Sequence, residues 1–189
     1  DTKVLTNNLL TRIPELQSTF IGVDVLSKNA ARENAKGIRS ARQHLNAGGA
    51  LLIFPAGKVA SVNLRTRSVE DHQWNRFAGN LLRRSDAACL PIHVDGYNSR
   101  FFYFMALIHP FLRSLLLPRE LANKQGRELK LIVGELIKPQ EISRLNDDHA
   151  VTNYLRMATE FLKQDTLKAR HAGSPLAFQP IEINKRSLA

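Results

Sequence analysis

The stretch Ala47–Ser61, which reads AGGALLIFPAGKVAS, constrains the fold of this chain more than any other. Its Gly-Gly pair is suited to end a helix, and the apolar run Ala50–Phe54 that follows has the character of a short strand. Pro55 ends that strand, and Gly57 permits a tight backbone turn. Ligands bind at the carboxyl ends of strands in open α/β sheets. The stretch therefore marks a candidate site, although a plain strand-to-loop turn has the same signature.

Strand-like and helix-like segments alternate along the chain. Apolar positions at spacings of three and four predict helices at Lys28–Asn46, Asn75–Ser85, Phe101–Leu117 (broken near Pro110) and Ala150–Lys168. Short apolar runs predict strands at 3–5, 19–23, 50–54, 88–94 and 129–133. The polar segment 62–74 is expected to be a loop. This alternation predicts an α/β domain with a mostly parallel central sheet flanked by helices.

The length of 189 residues suits a single domain. We assign residues 1–169 to that domain and residues 170–189, which contain Gly173, Pro175 and Pro180, to a linker or docking tail. The chain starts at Asp1, without Met or a signal peptide, which is typical of a segment of a longer protein. His109, Pro110 and Arg113 interrupt the most apolar stretch, Phe101–Leu117, so we expect no transmembrane helix.

The charge balance limits the partners. The formal net charge is +10, so the surface attracts anions: nucleic acid, anionic lipid or an acidic protein. Nucleic acid is disfavoured, because the aromatic residues cluster in apolar runs instead of alternating with Lys and Arg. Cys89 is the only cysteine and is expected to be buried as a small apolar residue. The histidines and Cys89 show no metal-ligand spacing, so no metal is expected.

Three blocks of sequence resemble those of the glycerolipid acyltransferase superfamily. FPAGKVAS (54–61) is similar to a block that usually has FPEG followed by Thr or Ser and Arg, and CLPIHVDG (89–96) is similar to an apolar strand with a central Pro. STFIGVD (18–24) matches a third block loosely. The resemblance covers Lys3–Ile142. It is strongest with a bacterial branch labelled hemolysin and related to the acyltransferases that form ornithine lipids.

The resemblance implies an activity, partners and a location. A fatty acyl group would move from an acyl carrier protein or coenzyme A thioester to the hydroxyl of a lysolipid, with no bound cofactor. The protein would lie peripherally at the cytoplasmic face of the inner membrane, on an anionic surface.

The family's catalytic block, His-x-x-x-x-Asp, is absent. None of the six histidines is followed by Asp five residues later. In the family this block precedes the others, so we expect it upstream of Asp1. In that block the histidine acts as the base that removes the proton of the acceptor hydroxyl, and the aspartate orients the histidine. Because this chain lacks both residues, it is expected to bind ligands but turn them over poorly. The alternative is a non-catalytic lipid-binding module or pseudoenzyme.

The resemblance also implies where the substrate binds. The loop of the FPAG block faces the polar acceptor, so the substrate-binding candidates are Phe54, Pro55, Ala56, Gly57, Lys58 and Ser61, together with Asn98 and Arg100. Lys58 is either a head-group cation or a solvated loop lysine. The two arginines that hold phosphate in the family fall here on Asp24 or Val25 and on Val59. This favours a zwitterionic or amino-acid head group over a phosphate.

Four further features admit a structural interpretation. His93 and Asp95 share one face of a strand, where a hydrogen-bonded strand histidine is favoured over a catalytic pair. Phe101–Leu117 is favoured as a buried core helix over an element that dips into lipid. Arg119 and Glu120 are expected at the surface or at a helix start. Asn98 and Arg100 either line the crevice or are ordinary loop residues.

Overall fold

A parallel three-stranded sheet forms the first half of the fold in this computed structural model, which describes residues 1–7, 10–23, 30–66 and 68–171. Strand β1 (Thr2–Asn7) lies between β2 (Phe20–Val23) and β3 (Ala50–Ile53). Val4 pairs with Phe20 on one side and with Leu52 on the other. The predicted parallel strands are therefore confirmed in this part, and the architecture is mixed α/β.

Helix α1 (Ala30–Asn46) connects β2 to β3 and packs on the sheet. Its Ala41 is fully buried in a core formed with Leu5, Ile21, Val23 and Leu81. The helix ends at the predicted Gly-Gly pair. Gly48 adopts φ +81°, and the Gly49 N–H donates to the His44 carbonyl at 3.0 Å. The site-bearing loop after β3 thus begins from a well-anchored strand.

A β-hairpin occupies the segment that was expected to be a loop, so that expectation is wrong. Strands β4 (Ser61–Asn63) and β5 (Ser68–Glu70) pair antiparallel. Asn63 Oδ1 accepts from the Arg65 N–H at 3.0 Å, which stabilises the turn. Three-residue strands are too short to show an alternating apolar pattern, and this explains the failure.

Strands β6 (Ile92–Asp95) and β7 (Lys130–Val133) form a separate antiparallel pair. The expectation of a mostly parallel central sheet therefore holds only for β1–β3 among the described strands. The connection explains the difference. Helices α3 (Arg100–Ile108) and α4 (Pro110–Ala122) both lie between β6 and β7. The first helix runs away from the end of β6 and the second runs back to it, so β7 starts at that end and runs antiparallel to β6.

The break near Pro110 is confirmed: α3 stops at Ile108, and His109 is extended with φ −157°, as a residue before proline prefers. The expectation for Glu120 is wrong. Its side chain is 4% exposed and lies in the last turn of α4.

Two short 3-10 helices (Leu10–Arg12 and Pro14–Leu16) and three more α-helices complete the described fold: α2 (Phe77–Arg83), α5 (Pro139–Ser143) and α6 (Asp148–His171). Helix α5 was not predicted, because five residues are too few to show a helical period. Helix α6 packs against α2, and Ala78, Val151 and Leu155 are buried in a second core. The helix extends two residues past 169, and residues 172–189 of the predicted tail lie outside the described part. None of the described helices is both long and apolar enough to span a bilayer.

Candidate ligand-binding cleft

The FPAG motif forms a tight turn directly after β3. The Gly57 N–H donates to the Phe54 carbonyl at 3.0 Å, and Gly57 adopts φ +62°, a backbone region that favours glycine. The Pro55 carbonyl accepts from the Asn75 N–H at 3.0 Å, which fixes the turn to the segment before α2. The turn is therefore a rigid edge at the carboxyl end of a parallel strand, where the sequence predicted a site.

A cleft of about 940 Å³ opens beside this turn. Its walls come from the residues after the turn, the β4–β5 hairpin, the end of β6, the α3–α4 pair and helix α6. Its apolar lining includes Phe54, Val59, Ala60, Val69, Trp74, Val94, Leu117 and Leu129. A volume of this size falls within the range of small-molecule sites.

The structure brings two of the eight predicted substrate-binding residues to the cleft wall: Phe54, which is 61% exposed, and Asn98. The other six lie nearby or point elsewhere. Pro55, Ala56 and Gly57 build the turn, Lys58 is exposed beside it, Ser61 begins β4, and Arg100 is the exposed first residue of α3. Val59, which the resemblance aligns with an arginine, does line the cleft. Asp24 and Val25, which correspond to the other arginine, lie outside the described residues.

Asn98 is held by neighbours on α3 and beyond α4. Its amide oxygen accepts from the Lys124 ammonium, and its backbone N–H donates to the Tyr103 hydroxyl at 3.3 Å. Burial raises the pKa of Tyr103, so the phenol stays protonated at neutral pH. Asn98 therefore presents a positioned polar group at the cleft.

Among the carboxylates that line the cleft, Glu70 on β5 has the most strongly shifted pKa. Hydrogen bonds from Thr66, Asn63 and Ser68 lower its pKa to about 2. The Asn63 amide donates at 2.8 Å and the Ser68 hydroxyl at 2.7 Å. Glu70 is therefore a fixed negative charge at neutral pH.

His93 and Asp95 both line the cleft from β6, and Lys163 on α6 lines it too. Burial lowers the pKa of His93, the Asp95 carboxylate opposes that shift, and the Lys163 charge adds to it. His93 is therefore mostly neutral at pH 7. The Lys163 ammonium donates to the Val69 carbonyl at 3.3 Å, which leaves it further donors.

The polar stripe of α6 was missed by the sequence analysis. Arg156, Thr159 and Lys163 line the cleft, and so does Glu160, which pairs with Arg156 at 2.7 Å. Their spacings of three, four and seven place them on one helix face, a signal that was present in the sequence. Phe161, on the same helix, is 56% exposed.

Chemically, the cleft presents an apolar wall and fixed charges of both signs. Burial raises the pKa of the Cys89 thiol to about 11, in agreement with its predicted role as a small apolar residue. Within the described residues, no group of three His, Cys, Asp or Glu side chains is placed to hold a metal ion. No protein-family profile, curated protein or solved structure was found to match the chain.

Proposed function

We propose that this chain is an acyltransferase domain of the glycerolipid type whose cleft binds a lysolipid. The observation that carries the proposal is the cleft beside the FPAG turn, at the carboxyl end of β3. It combines an apolar wall with charged side chains, which suits an amphiphile with one acyl chain and a polar head.

The charges in the cleft favour a zwitterionic head group, such as that of an amino-acid lipid. Glu70 and Asp95 supply negative charge from the strands, and Lys163 supplies positive charge from the facing helix. A head group with both an ammonium and a carboxylate can pair its ammonium with Glu70 and Asp95 and its carboxylate with Lys163. A phosphate can pair only with Lys163 and is repelled by the two carboxylates.

In the proposed reaction, the lysolipid hydroxyl attacks the thioester carbonyl of an acyl carrier protein or coenzyme A. The new C–O bond replaces the C–S bond, the thiol leaves, and the hydroxyl proton passes to a base. The His-x-x-x-x-Asp pair that serves as this base in the family is absent from these 189 residues. We therefore expect this chain to bind lysolipid and to transfer acyl groups poorly.

The proposed location of the protein rests on its positive net charge. A chain with net charge +10 is attracted both to an acidic carrier protein and to anionic lipid. We propose a peripheral position at the cytoplasmic face of the inner membrane, where a lysolipid acceptor is available.

Trp74, the only tryptophan, lines the cleft and reports directly on its occupancy. Lysolipids with brominated acyl chains, used below their micelle concentration, are expected to quench its fluorescence saturably. Lyso-ornithine lipid should bind more tightly than lysophosphatidic acid. Ala60→Phe places a ring in the cleft and should weaken binding, while Ala35→Phe on the exposed face of α1 is the matched control.

Acyl transfer is then measured with this chain and with a longer chain that carries a His-x-x-x-x-Asp block. Transfer only by the longer chain supports the proposal. Quenching without transfer by either chain favours the alternative, a non-catalytic lipid-binding module. Equal quenching of Trp74 fluorescence in Ala60→Phe and Ala35→Phe would show that the cleft is not the lysolipid site.

A further inference from the structure

The outer face of the α3–α4 pair is apolar and open to solvent. Phe101, Phe104, Leu107 and Ile108 are each 45–60% exposed. At about 100° per residue they fall within an arc of roughly 120° on α3, while Phe102 points to the opposite side and is fully buried. Soluble domains seldom leave so contiguous an apolar surface without a partner.

Helix α4 extends this surface and adds positive charge beside it. Leu115 is 59% exposed and Leu121 is 76% exposed. The Arg119 guanidinium lies 4.9 Å from the centre of the Phe101 ring, a cation–π contact that holds the cation at the edge of the apolar surface. Arg100, also exposed, begins α3. We call these exposed side chains of α3 and α4, with Arg100 and Arg119, the α3–α4 face.

We propose that the α3–α4 face docks on an anionic lipid surface. Two occupants suit an apolar face with a cationic rim: a second copy of the chain, or a lipid surface. Packing two copies face to face would bring two cationic rims, each with Arg100 and Arg119, into one interface between chains of net charge +10. An anionic surface instead offers acyl chains to Phe104 and Ile108 and opposite charge to the arginines.

The lengths of the two helices agree with a position at the interface. Helix α3 has 9 residues and α4 has 13, whereas a membrane span needs about 20. The pair therefore lies in the head-group region with its apolar side chains inserted.

Docking in this orientation brings the cleft to the bilayer. Tyr103 on α3 and Leu117 on α4 line the cleft, and each adjoins side chains of the α3–α4 face along its helix. The docking itself does not depend on acyl transfer or on lysolipid binding, and it is measured separately from both.

Flotation of the full chain with vesicles tests the proposal. Binding is expected to be stronger to phosphatidylcholine mixed with phosphatidylglycerol than to phosphatidylcholine alone. Phe104→Ser should weaken binding about tenfold, because a phenyl ring no longer leaves water. Phe161→Ser removes an equally exposed phenylalanine from α6 and should change binding less than about twofold.

Charge variants test the other half of the interaction. Arg100→Gln and Arg119→Gln should each weaken binding to the anionic vesicles about fivefold and leave binding to phosphatidylcholine unchanged. Arg39→Gln on the exposed face of α1 is the control. Circular dichroism establishes that each variant is folded.

Two results would overturn the proposal. One is equal vesicle binding by Phe104→Ser and Phe161→Ser. The other is a lipid-free dimer, seen by sedimentation equilibrium, that Phe104→Ser dissociates, because the face would then be a self-association interface.

Discussion

Ser99 and Glu120 are joined by two hydrogen bonds that close the α3–α4 pair. The Ser99 N–H donates to Glu120 Oε2 at 2.8 Å, and its hydroxyl donates to Oε1 at 2.6 Å. The same hydroxyl accepts from the Phe102 N–H at 3.1 Å and so caps the start of α3. Burial raises the pKa of Glu120, but the bonds from Ser99 outweigh it and the net shift is downward. One buried carboxylate thus ties the start of α3 to the end of α4.

Glu120→Ala is expected to lower the free energy of unfolding by about 1–2 kcal/mol, because two half-buried donors on Ser99 lose their acceptor. Urea unfolding measures the change. Glu128→Gln, an exposed carboxylate on the loop after α4, is the control and should be within about 0.5 kcal/mol of the parent chain. A similar loss in both variants would contradict a specific role for the buried pair.

Asp148 links α6 to α2, and its contribution should depend on pH. It accepts from the Asn80 amide at 2.7 Å and from Arg83 at 2.7 Å, and these bonds hold its pKa below the ordinary 3.8. A carboxyl whose pKa is lower in the folded state stabilises the fold above its unfolded pKa and loses that effect as pH falls.

Asp148→Asn should therefore cost about 1–2 kcal/mol at pH 7, a value reduced by the partial exposure of the pair. The difference from the parent chain should shrink as pH drops below about 4. Thermal unfolding from pH 3 to pH 7 measures it, with the exposed Glu135→Gln as the control. A difference that is constant over this range would argue against the charge as its source.

Gly79 allows α2 to approach α6 closely. A Cβ at this position would lie 2.2 Å from the Asp148 carbonyl oxygen, which is backbone and cannot easily move. Gly79→Ala should therefore destabilise by about 2 kcal/mol, although alanine is the better helix former by about 1 kcal/mol. Gly96→Ala, where nothing lies within 4 Å, is the matched control for chemical denaturation. A stabilised Gly79→Ala variant would mean that the two helices are not in contact there.

Cys89 is expected to be chemically inert in the folded chain. With its pKa raised to about 11, the thiolate fraction near neutral pH is about a hundredfold below that of a free thiol. Iodoacetamide should modify the single cysteine correspondingly slowly, and urea should restore the rate. Rapid modification without denaturant would show that the thiol is exposed.

The longer elements could be predicted from the sequence because they carry their pattern locally. Helix α1 has enough turns for its apolar period to be visible, and the break between α3 and α4 is dictated by the ring of Pro110. The β4–β5 hairpin and α5 were missed because strands of three residues and a helix of five are too short to repeat the period that identifies them. The antiparallel pairing of β6 with β7 was missed because strand direction depends on how many helices intervene.

Sequence by itself determined the turn at residues 54–57, since proline fixes its own φ and glycine admits the positive φ that the turn requires. It also determined the basic charge and the absence of a His-x-x-x-x-Asp block. Only the tertiary structure decided what faces the turn. Lys163 and Glu70 are separated by 93 residues, yet both line the cleft. The tertiary structure also leaves the apolar side chain of Phe104 exposed and buries the carboxylate of Glu120. Burial and proximity depend on which helix faces pack together, and a local sequence pattern does not specify which faces those are.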